Sequence, residues 1–339
     1  MATKRQPDGD LLAPYRAKRS ADGTPEPSGV IPAMPERAAG GLFVVHLHAA
    51  TRLHFDLRLQ MDGVLRSWAV PKGPSKNPAD KRLAVYVEDH PLEYGDFEGI
   101  IPEGNYGAGA VIVWDRGEWV PIGDVHEGLK EGKLLFDLKG YKLKGRWTLV
   151  KIKKAQKEWL LIKERDAQVS LNGDDFPTGS VLSGRTIEEV KAGVDLGAKL
   201  AQRLKGSTAK RGAVRAKDVK PMLAETREAP FSKQGWYFEL KLDGWRVIAA
   251  RVQGEPKLLS RNGHDLTVSF PELAKAMAAL PYDGLILDGE VVCHDAAGLP
   301  SFQRLQQRAR VTKPFDVRRA AVEIPATYYC FDVLAAEGY

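Results

Sequence analysis

The sequence predicts an α+β protein rich in β-strands, in which a small N-terminal β-barrel precedes a second domain of antiparallel strands and helices. Short segments of alternating polarity recur from Gly41 to Glu164 with few helical stretches between them, which favours a compact barrel or sandwich. After about residue 220, strand-like and helix-like patterns are mixed. At 339 residues, the chain is long enough for two domains that each bury their own core.

Composition narrows the class of protein. Hydrophobic residues make up 43% and charged residues 28%, values typical of a soluble globular protein. The formal net charge of +6 favours polyanionic partners. No apolar run is long enough to span a bilayer and no secretory signal is apparent, so we expect a cytoplasmic protein. Cys293 and Cys330 have no metal-type spacing and are interpreted as reduced core thiols.

The N-terminal elements follow from composition and alternation. Residues 1–40 are rich in Pro, Gly, Ala and charge, which predicts an extended arm. The Asp62-Gly63 pair predicts a hairpin turn. The predicted strands of this half are Phe43–His48, Arg52–Gln60, Val64–Val70, Leu83–Val87, Ala110–Trp114, Lys133–Leu138, Arg146–Ile152 and Trp159–Lys163.

A helix and a linker follow the barrel strands. Thr186 with Glu189 has the spacing of a capping box and predicts a helix towards Gly193 and beyond. Residues 203–220 contain seven basic residues and one acidic residue, which indicates a linker whose charge could also hold a phosphate backbone. The second domain is predicted to contain the strands Trp236–Lys241, Trp245–Val252, Lys257–Ser260, Leu285–Leu287 and Thr327–Phe331, and the helices Pro271–Leu280 and Ser301–Arg308.

One predicted strand, Arg52–Gln60, separates apolar from polar residues. Side chains alternate between the two faces of a strand, so Leu53, Phe55, Leu57 and Leu59 form an apolar wall. The other face carries Arg52, His54, Asp56, Arg58 and Gln60. Charged residues also line ordinary water-facing strands, which is the alternative interpretation of this face.

The polar face of that strand suggests a metal site. His46 and His48 share one face of the preceding strand, across a short turn from His54 and Asp56. Two imidazoles and a carboxylate suffice for a divalent ion with open coordination positions. Cations lie nearby and downstream, together with a histidine and a tyrosine: Arg58, Lys72, Arg82, His90 and Tyr94. A metal flanked by such groups suits a phosphoester, because the cations balance developing negative charge.

The most informative stretch of the second half is Glu-Leu-Lys-Leu-Asp-Gly-Trp-Arg, residues 239–246. It sets Lys241 among two carboxylates and an arginine. A lysine amine attacks phosphorus only when deprotonated, so such a site needs neighbours that lower its pKa and a cation that holds the phosphates. Three further phrases follow in order: Ser-Arg-Asn-Gly at 260–263, Leu-Asp-Gly-Glu-Val-Val at 287–292 and Tyr-Cys-Phe-Asp-Val-Leu at 329–334.

Residues 11–165 resemble the 3′-phosphoesterase module of bacterial DNA ligase D. The match is carried by His-x-Ala-x-Arg-Leu-His-x-Asp-x-Arg-Leu from residue 48, Leu-x-Ser-Trp-Ala-Val-Pro-Lys-Gly-Pro from 65, Val-Glu-Asp-His-Pro-Leu-x-Tyr from 87 and the glycine-rich phrase at 98–109. The resemblance implies a Mn²⁺ ion held by His48, His54 and Asp56. It also implies that phosphate is engaged, or its transfer assisted, by Arg58, Lys72, Arg82, His90 and Tyr94.

The same resemblance extends to the arm and includes two departures. Arg19 and Glu26 match functional positions of the family. Ser20 stands where the family tends to carry Asp, which puts the role of the arm in question. His46 stands where Gln is common, and it could add a ligand or replace a hydrogen bond.

The octet at 239–246 resembles motif I of ATP-dependent DNA ligases, a motif that capping enzymes and RNA ligases share. The three later phrases resemble motifs Ia, III and IIIa. The resemblance implies an ATP-grasp-like nucleotidyltransferase fold that uses ATP and Mg²⁺, with AMP carried covalently on Lys241. The implied nucleotide contacts are Glu239 to the adenine amine, Arg246 to ribose or phosphate, Arg261 to ribose or DNA phosphate, Glu290 to ribose hydroxyls or a metal, and Phe331 stacked on adenine.

These resemblances predict four parts: an arm at 1–40, a phosphoesterase barrel at 41–185, a helix and basic linker at 186–220 and a partial ligase adenylation domain at 221–339. Motifs IV and V and an oligonucleotide-binding barrel are not in this sequence, so we expect inefficient nick sealing. The resulting hypothesis is a bacterial, nucleoid-associated cytoplasmic repair enzyme that removes 3′-phosphates and 3′-ribonucleotides from DNA ends, with a Ku-type protein as candidate partner.

Two alternatives belong to other classes. His48, His54 and Asp56 could form the facial triad of a non-haem iron oxygenase, although the nearby cations suit phosphate better. Alternatively, the chain could be a non-catalytic scaffold that binds DNA ends with a steep salt dependence. The sequence does not indicate the oligomeric state.

Overall fold

The computed structural model describes residues 10–19, 23–29, 41–171, 176–295 and 298–339. The chain divides into two compact units, Met1–Val194 and Asp195–Tyr339. Ser20, one of the two departures, lies outside the described residues. The four-part functional division of the sequence stays a prediction.

The first unit is built on a closed antiparallel barrel of eight strands, joined by one short additional strand. Its strands are β1 (Gly41–Ala49), β2 (Leu53–Met61), β3 (Val64–Val70), β4 (Arg82–Tyr86), β5 (Gly99–Ile101), β6 (Gly109–Ile122), β7 (Lys133–Gly140), β8 (Lys144–Lys151) and β9 (Glu158–Lys163). The order around the barrel is β1-β2-β3-β4-β9-β8-β7-β6, and β6 pairs with β1 to close it, while β5 pairs with β6. All eight predicted strands are confirmed, and the choice between barrel and sandwich is decided in favour of the barrel.

Two apolar clusters lie on opposite sides of the β1–β2 wall. Phe43, Val45 and Leu47 of β1 point into the barrel, where they join the main core. The intervening side chains point outward, and part of this outer face is covered by a second cluster. That cluster draws on the arm helix α1 (Ala13–Ala17) and a 3-10 turn at Leu92–Asp96. The polar residues of β1 and β2 therefore lie beneath a cover of protein, although they face away from the barrel core.

Local sequence signals account for the turns and helices of this unit. Asp62 and Gly63 both have positive φ, as the predicted hairpin turn requires. The capping box of Thr186 and Glu189 is present and opens α3 (Ile187–Lys191), which packs on the barrel core. The sequence analysis missed α2 (Val125–Glu131), whose N-cap is Asp124.

The second unit contains a four-stranded antiparallel sheet with helices on one face. Its elements are α4 (Leu196–Lys205), β10 (Trp245–Val252), β11 (Glu255–Ser260), α5 (Pro271–Ala279), β12 (Leu285–Cys293), α6 (Phe302–Ala309), α7 (Pro314–Glu323) and β13 (Ala326–Ala335). The strand order is β11-β10-β12-β13. Val247 and Ala249 pack towards the helices, whereas Arg246 extends from the opposite face.

Three predictions for the second unit were wrong or incomplete. The segment Trp236–Lys241 was predicted to be a strand, but it has no regular structure and is exposed. Aromatic residues favour strands, yet a strand also needs a hydrogen-bonding partner, and none of the described strands pairs with this segment. Cys330 was predicted to be a core thiol but is exposed, whereas Cys293 is buried as expected. The helix predicted from Thr186 towards Gly193 and beyond ends at Lys191, and a separate helix, α4, begins at Leu196; α7 was not predicted.

Within the described ranges, none of the helices combines the length and apolar character that crossing a bilayer would need.

Candidate metal centre

The β1–β2 hairpin brings three potential metal ligands together. His48 pairs directly with His54 across the hairpin, and Asp56 follows two residues later on the same face of β2. One ligand atom from each of these residues lies within 4.8 Å of the others. Asp56 Oδ2 is 3.9 Å from His48 Nδ1, and Asp56 Oδ1 is 3.6 Å from His54 Nε2. The predicted triad therefore converges on one point.

Hydrogen bonds to carbonyl groups orient both imidazoles. His48 Nε2 lies 2.8 Å from the carbonyl oxygen of Gly107, and His54 Nδ1 lies 2.9 Å from that of Arg52. A carbonyl oxygen only accepts, so each of these nitrogens carries the hydrogen and the other nitrogen keeps its lone pair. Those lone pairs are on the two atoms that face Asp56. Burial also lowers the pKa of His48, which favours the neutral form that a metal requires. The donor set thus fits a divalent cation.

Arg58 links this triad to the rest of the site. It is almost fully buried, and its three nitrogens donate to His46 Nδ1 at 3.1 Å, Ser67 Oγ at 2.9 Å and Asp56 Oδ2 at 2.9 Å. Its guanidinium carbon lies 4.9 Å from the ring centre of Tyr94. A buried arginine with this set of partners has a fixed position, which suits recognition of an oxyanion.

His46 supports Arg58 and does not belong to the triad. Its Nδ1 accepts from Arg58, so the neutral ring carries its hydrogen on Nε2. Burial and the charge of Arg58 hold the pKa of His46 well below its usual value. His46 could add a metal ligand or replace a hydrogen bond, and the geometry matches the hydrogen bond.

His90 and Tyr94 complete the buried part of the site. His90 Nδ1 donates to the carbonyl oxygen of Glu88 at 2.9 Å, and its Nε2 lies 3.4 Å from Nη2 of Arg19. Burial, followed by the charges of Arg58 and Arg19, holds the pKa of His90 well below its usual value. The Tyr94 ring packs against His90 at 4.7 Å between centres, and burial raises the pKa of its phenol. At neutral pH, both side chains are therefore uncharged.

The N-terminal arm covers this group. Arg19 Nε donates to Glu26 Oε1 at 2.9 Å, and its guanidinium stacks 3.9 Å from the ring centre of Tyr15. Glu26 is buried, and Lys18 Nζ bonds Glu88 Oε2 at 3.0 Å. Of the two arm residues matched to family positions, Arg19 therefore lies against His90 and Glu26 holds Arg19, although their functional role stays a prediction.

Lys72 and Arg82 are the other two predicted residues of this half. Lys72 is exposed two residues beyond Val70, which pairs with Phe55 next to His54. Arg82 opens β4, where its Nη2 donates to Asp80 Oδ2 at 2.9 Å. The structure thus brings six of the eight predicted residues of this half into one cluster. The contribution of Lys72 and Arg82 to phosphate binding stays a prediction.

Sequence reasoning overlooked Ser67, a fully buried serine on β3. Its Oγ accepts from Arg58, donates to the carbonyl oxygen of Leu65 at 2.9 Å and lies 3.4 Å from His90 Nδ1. The only available signal was its place within the phrase that begins at residue 65. A serine between apolar strand residues is too common to identify by itself.

In the second unit, Arg246 and Asp288 form a bidentate ion pair. The two nitrogen–oxygen distances are 3.0 and 2.6 Å, and Arg246 Nη1 also donates to the carbonyl oxygen of Met222 at 2.6 Å. Arg246 pairs in register with Glu290, and its guanidinium lies 5.6 Å from the ring centre of Phe331. Burial raises the pKa of Glu290. Three predicted nucleotide contacts therefore share one face of the sheet, and Asp288 is an addition that the sequence analysis missed.

The other predicted residues of this unit are exposed. Lys241, Glu239 and Arg261 lie outside the strands on the protein surface. Gly244 leads into β10 where a Cβ atom would lie 2.3 Å from the carbonyl oxygen of Val291, so a side chain cannot be accommodated. The sheet thus fixes Arg246, while the roles of Lys241, Glu239 and Arg261 in nucleotide binding stay predictions.

Two family models match this chain. Residues 46–151 match the DNA ligase D 3′-phosphoesterase domain, and residues 216–339 match the ATP-dependent DNA ligase domain. The first match covers the metal triad and Arg58. The second covers the octet around Lys241 and the Arg246–Asp288 pair.

Individual relatives agree with these models. The chain is 46% identical over 318 residues to the multifunctional non-homologous end joining protein LigD of Pseudomonas aeruginosa. This alignment covers 88% of this chain and 36% of that protein. It is 34% identical over 339 residues to the protein of the same name from Mycolicibacterium smegmatis. This alignment covers 98% of this chain and 37% of that protein. A probable DNA ligase of Anaeromyxobacter dehalogenans is 38% identical over 125 residues, covering 35% of this chain and 24% of that protein. The chain spans little more than a third of the length of its LigD relatives.

Proposed function

Because the chain joins a member of the ligase D 3′-phosphoesterase family to an ATP-dependent DNA ligase domain, we propose that it is a DNA repair enzyme that heals 3′ ends. The proposed reaction removes a 3′-phosphate from a DNA end and leaves a 3′-hydroxyl. A 3′-ribonucleotide is the second proposed substrate. The two family matches confirm that a 3′-phosphoesterase domain and an ATP-dependent DNA ligase domain are both represented in this chain.

The proposed metal is Mn²⁺, held by His48, His54 and Asp56. A divalent ion with three protein ligands keeps positions open for substrate, and when bound it would polarise a phosphoryl oxygen. The single observation that carries this proposal is the convergence of three oriented ligand atoms beside a buried arginine.

The remaining side chains of the cluster suit a phosphoryl group. Arg58 offers a fixed positive charge that balances negative charge developing on the phosphoryl oxygens. Tyr94 stays protonated and can donate a hydrogen bond to such an oxygen, since burial raises the pKa of its phenol. Neutral His90 keeps a lone pair on Nε2 that can accept a hydrogen bond, because its Nδ1 donates to the carbonyl oxygen of Glu88.

The test is release of phosphate from a primer–template that ends in a 3′-phosphate. Wild-type protein should release phosphate with Mn²⁺ and lose this activity in EDTA. Substituting His48→Ala or Asp56→Ala should reduce the rate at least about a thousandfold, because the ion would lose a ligand. His126→Ala is a matched control, since this partly exposed histidine lies on α2 and pairs with Asp62.

Three outcomes would count against the proposal. Full activity of the His48 and Asp56 variants would remove both residues as ligands. Oxygen uptake with iron and 2-oxoglutarate would support the iron oxygenase alternative. Salt-sensitive binding of duplex ends without phosphate release would support a non-catalytic scaffold. The family matches favour the phosphoesterase over both alternatives.

For the second unit we propose adenylation of Lys241 by ATP with Mg²⁺. Arg246, held by Asp288, would contact the ribose or the phosphates, and Phe331 would stack on adenine. Glu290 faces the same side and would meet the ribose hydroxyls or the metal, while Glu239 and Arg261 would complete the nucleotide contacts. The Arg246–Asp288 pair supports this proposal, because it fixes a cation on the sheet beside an aromatic ring.

DNA ends are the proposed partners, and a Ku-type end-binding protein is the proposed recruiting factor. The names of the LigD relatives associate them with non-homologous end joining. We further propose that the protein acts in the bacterial cytoplasm at the nucleoid, where chromosomal ends arise.

A further inference from the structure

The loop between β5 and β6 links the metal triad to the arm. Gly107 supplies the carbonyl oxygen that binds His48 Nε2. Two residues earlier, the Asn105 side-chain amide donates to the carbonyl oxygen of Gly23 in the arm at 3.0 Å and to that of Pro102 at 3.2 Å. The loop is therefore tied on both sides of Tyr106, and that residue has a defined position close to the proposed phosphate.

Tyr106 presents an aromatic ring at the edge of the site. The residue is 50% exposed. Lys18 Nζ lies 4.2 Å from its ring centre and 3.2 Å from its hydroxyl oxygen, and the Arg19 guanidinium lies 5.8 Å from the ring centre. A large aromatic ring that stays half exposed while its loop and hydroxyl are fixed gains little from core burial, and this arrangement is typical of a recognition surface.

We propose that Tyr106 stacks on the nucleobase of the 3′-terminal nucleotide and thereby sets the affinity for DNA ends. This inference rests on the proposed function, because the triad must hold the 3′-phosphate for the adjoining base to reach the ring. An aromatic ring stacks on any base, which suits an enzyme that meets ends of every sequence.

The experiment compares two primer–templates that end in a 3′-phosphate, one with a normal terminal base and one with an abasic terminal residue. Tyr106→Ala should raise KM about tenfold for the normal end, leave kcat within about twofold, and change neither value more than about twofold for the abasic end. Tyr106→Phe keeps the ring and should behave as wild type on both ends. Tyr141→Ala, at an exposed tyrosine between β7 and β8, is the matched control.

A binding measurement separates failure of the inference from failure of the proposed function. With 2-aminopurine as the terminal base, stacking on Tyr106 should quench its fluorescence on rapid mixing in Mn²⁺, before phosphate is released, and Tyr106→Ala should abolish this quenching. Equal losses for normal and abasic ends would mean that Tyr106 only supports the loop, and unchanged kinetics with unchanged quenching would also overturn the inference. Quenching by wild type without phosphate release from either end would uphold the base contact and overturn the proposed reaction.

Discussion

Arg58 shows how one residue organises the first site. A buried guanidinium is costly unless its donors are satisfied, and His46, Ser67 and Asp56 each accept one hydrogen bond from it. The same bonds hold Asp56 next to the two imidazoles. Charge, orientation and metal-ligand geometry therefore depend on one network of hydrogen bonds, and a change at His46 or Ser67 would be transmitted to the phosphate through Arg58.

At the residue scale we predict that acid destabilises the first unit through His90. Its pKa is lowered in the folded protein, so below the unfolded value of about 6.5 the unfolded chain binds a proton that the folded protein does not bind. Stability attributable to His90 is therefore present above pH 6.5 and falls by about 1.4 kcal/mol per pH unit below it. Chemical unfolding in EDTA at pH 7.5, 6.5 and 5.5 measures this slope.

His90→Gln is the comparison for that measurement. Glutamine does not titrate. Below pH 6.5, the free energy of unfolding of the variant should therefore fall less steeply with decreasing pH than that of wild type, by the equivalent of about one proton. Identical slopes for wild type and His90→Gln would show that His90 becomes protonated in the folded state.

Whether a site residue could be predicted from the sequence depended on the chemical type of its side chain. Strand spacing indicated a group of candidate ligands that included His46, and the family resemblance selected His48, His54 and Asp56, whose ligand atoms the structure brings together. Ser67 and Asp288 were missed because a serine or an aspartate on a strand becomes meaningful only when its partner is known. Those partners, Arg58 and Arg246, lie on neighbouring strands, and the register of the sheet cannot be read from sequence.

At the scale of elements, Gly109 is required where β6 begins. Its φ is +142°, and a Cβ atom would lie 2.1 Å from the carbonyl oxygen of Ala49 on β1. We predict that Gly109→Ala lowers the free energy of unfolding of the first unit by about 3 kcal/mol or more, because a methyl group would force β1 and β6 apart. Denaturant unfolding followed by tryptophan fluorescence gives this value.

Gly123→Ala is the control for the close contact between position 109 and β1. Gly123 also has positive φ, at +90°, but no atom lies within 4 Å of its added Cβ among the described residues. Its substitution should therefore cost only the backbone strain, about 1 kcal/mol. Equal costs at the two positions would show that strain alone, and not contact with β1, makes Gly109 necessary.

Strands and helices were predicted correctly where the alternation of polar and apolar residues identified them. Predictions failed where this pattern was ambiguous. The eight barrel strands send apolar side chains into the core at alternating positions, so their existence was predictable, although β6 extends to Ile122, well beyond its predicted end at Trp114. The segment Trp236–Lys241 has strand-like composition but forms no ladder, because pairing is a tertiary property. Helix α7 was missed because its sequence, although it begins with Pro314, lacks an obvious polar N-cap.

At the scale of the whole molecule, the two proposed chemistries reside in different units. All residues of the metal cluster lie in Met1–Val194, and the Arg246–Asp288 pair lies in Asp195–Tyr339, each with its own apolar core. We predict that Lys241→Ala leaves 3′-phosphate release by the full chain within about twofold of wild type, since Lys241 lies outside the first unit. His48→Ala should in turn leave ATP binding unchanged, as measured by calorimetry.

A fragment of residues 1–194 extends this prediction. It contains the barrel, the arm and the complete cluster, and it should release phosphate at a rate close to that of the full chain. An inactive but folded fragment, or a Lys241→Ala chain that no longer releases phosphate, would show that the first reaction needs the second unit.

Barrel closure has a consequence during synthesis on the ribosome. Two seams join strands that are far apart in the chain: β4 pairs with β9, and β1 pairs with β6, where Gly41 lies opposite Trp119. Until β6 has emerged, β1 keeps an unpaired edge on which another nascent chain could add a strand. Contacts between distant segments also form slowly. We therefore expect chaperone dependence to decline when β6 has paired with β1, and to decline again when β9 has paired with β4.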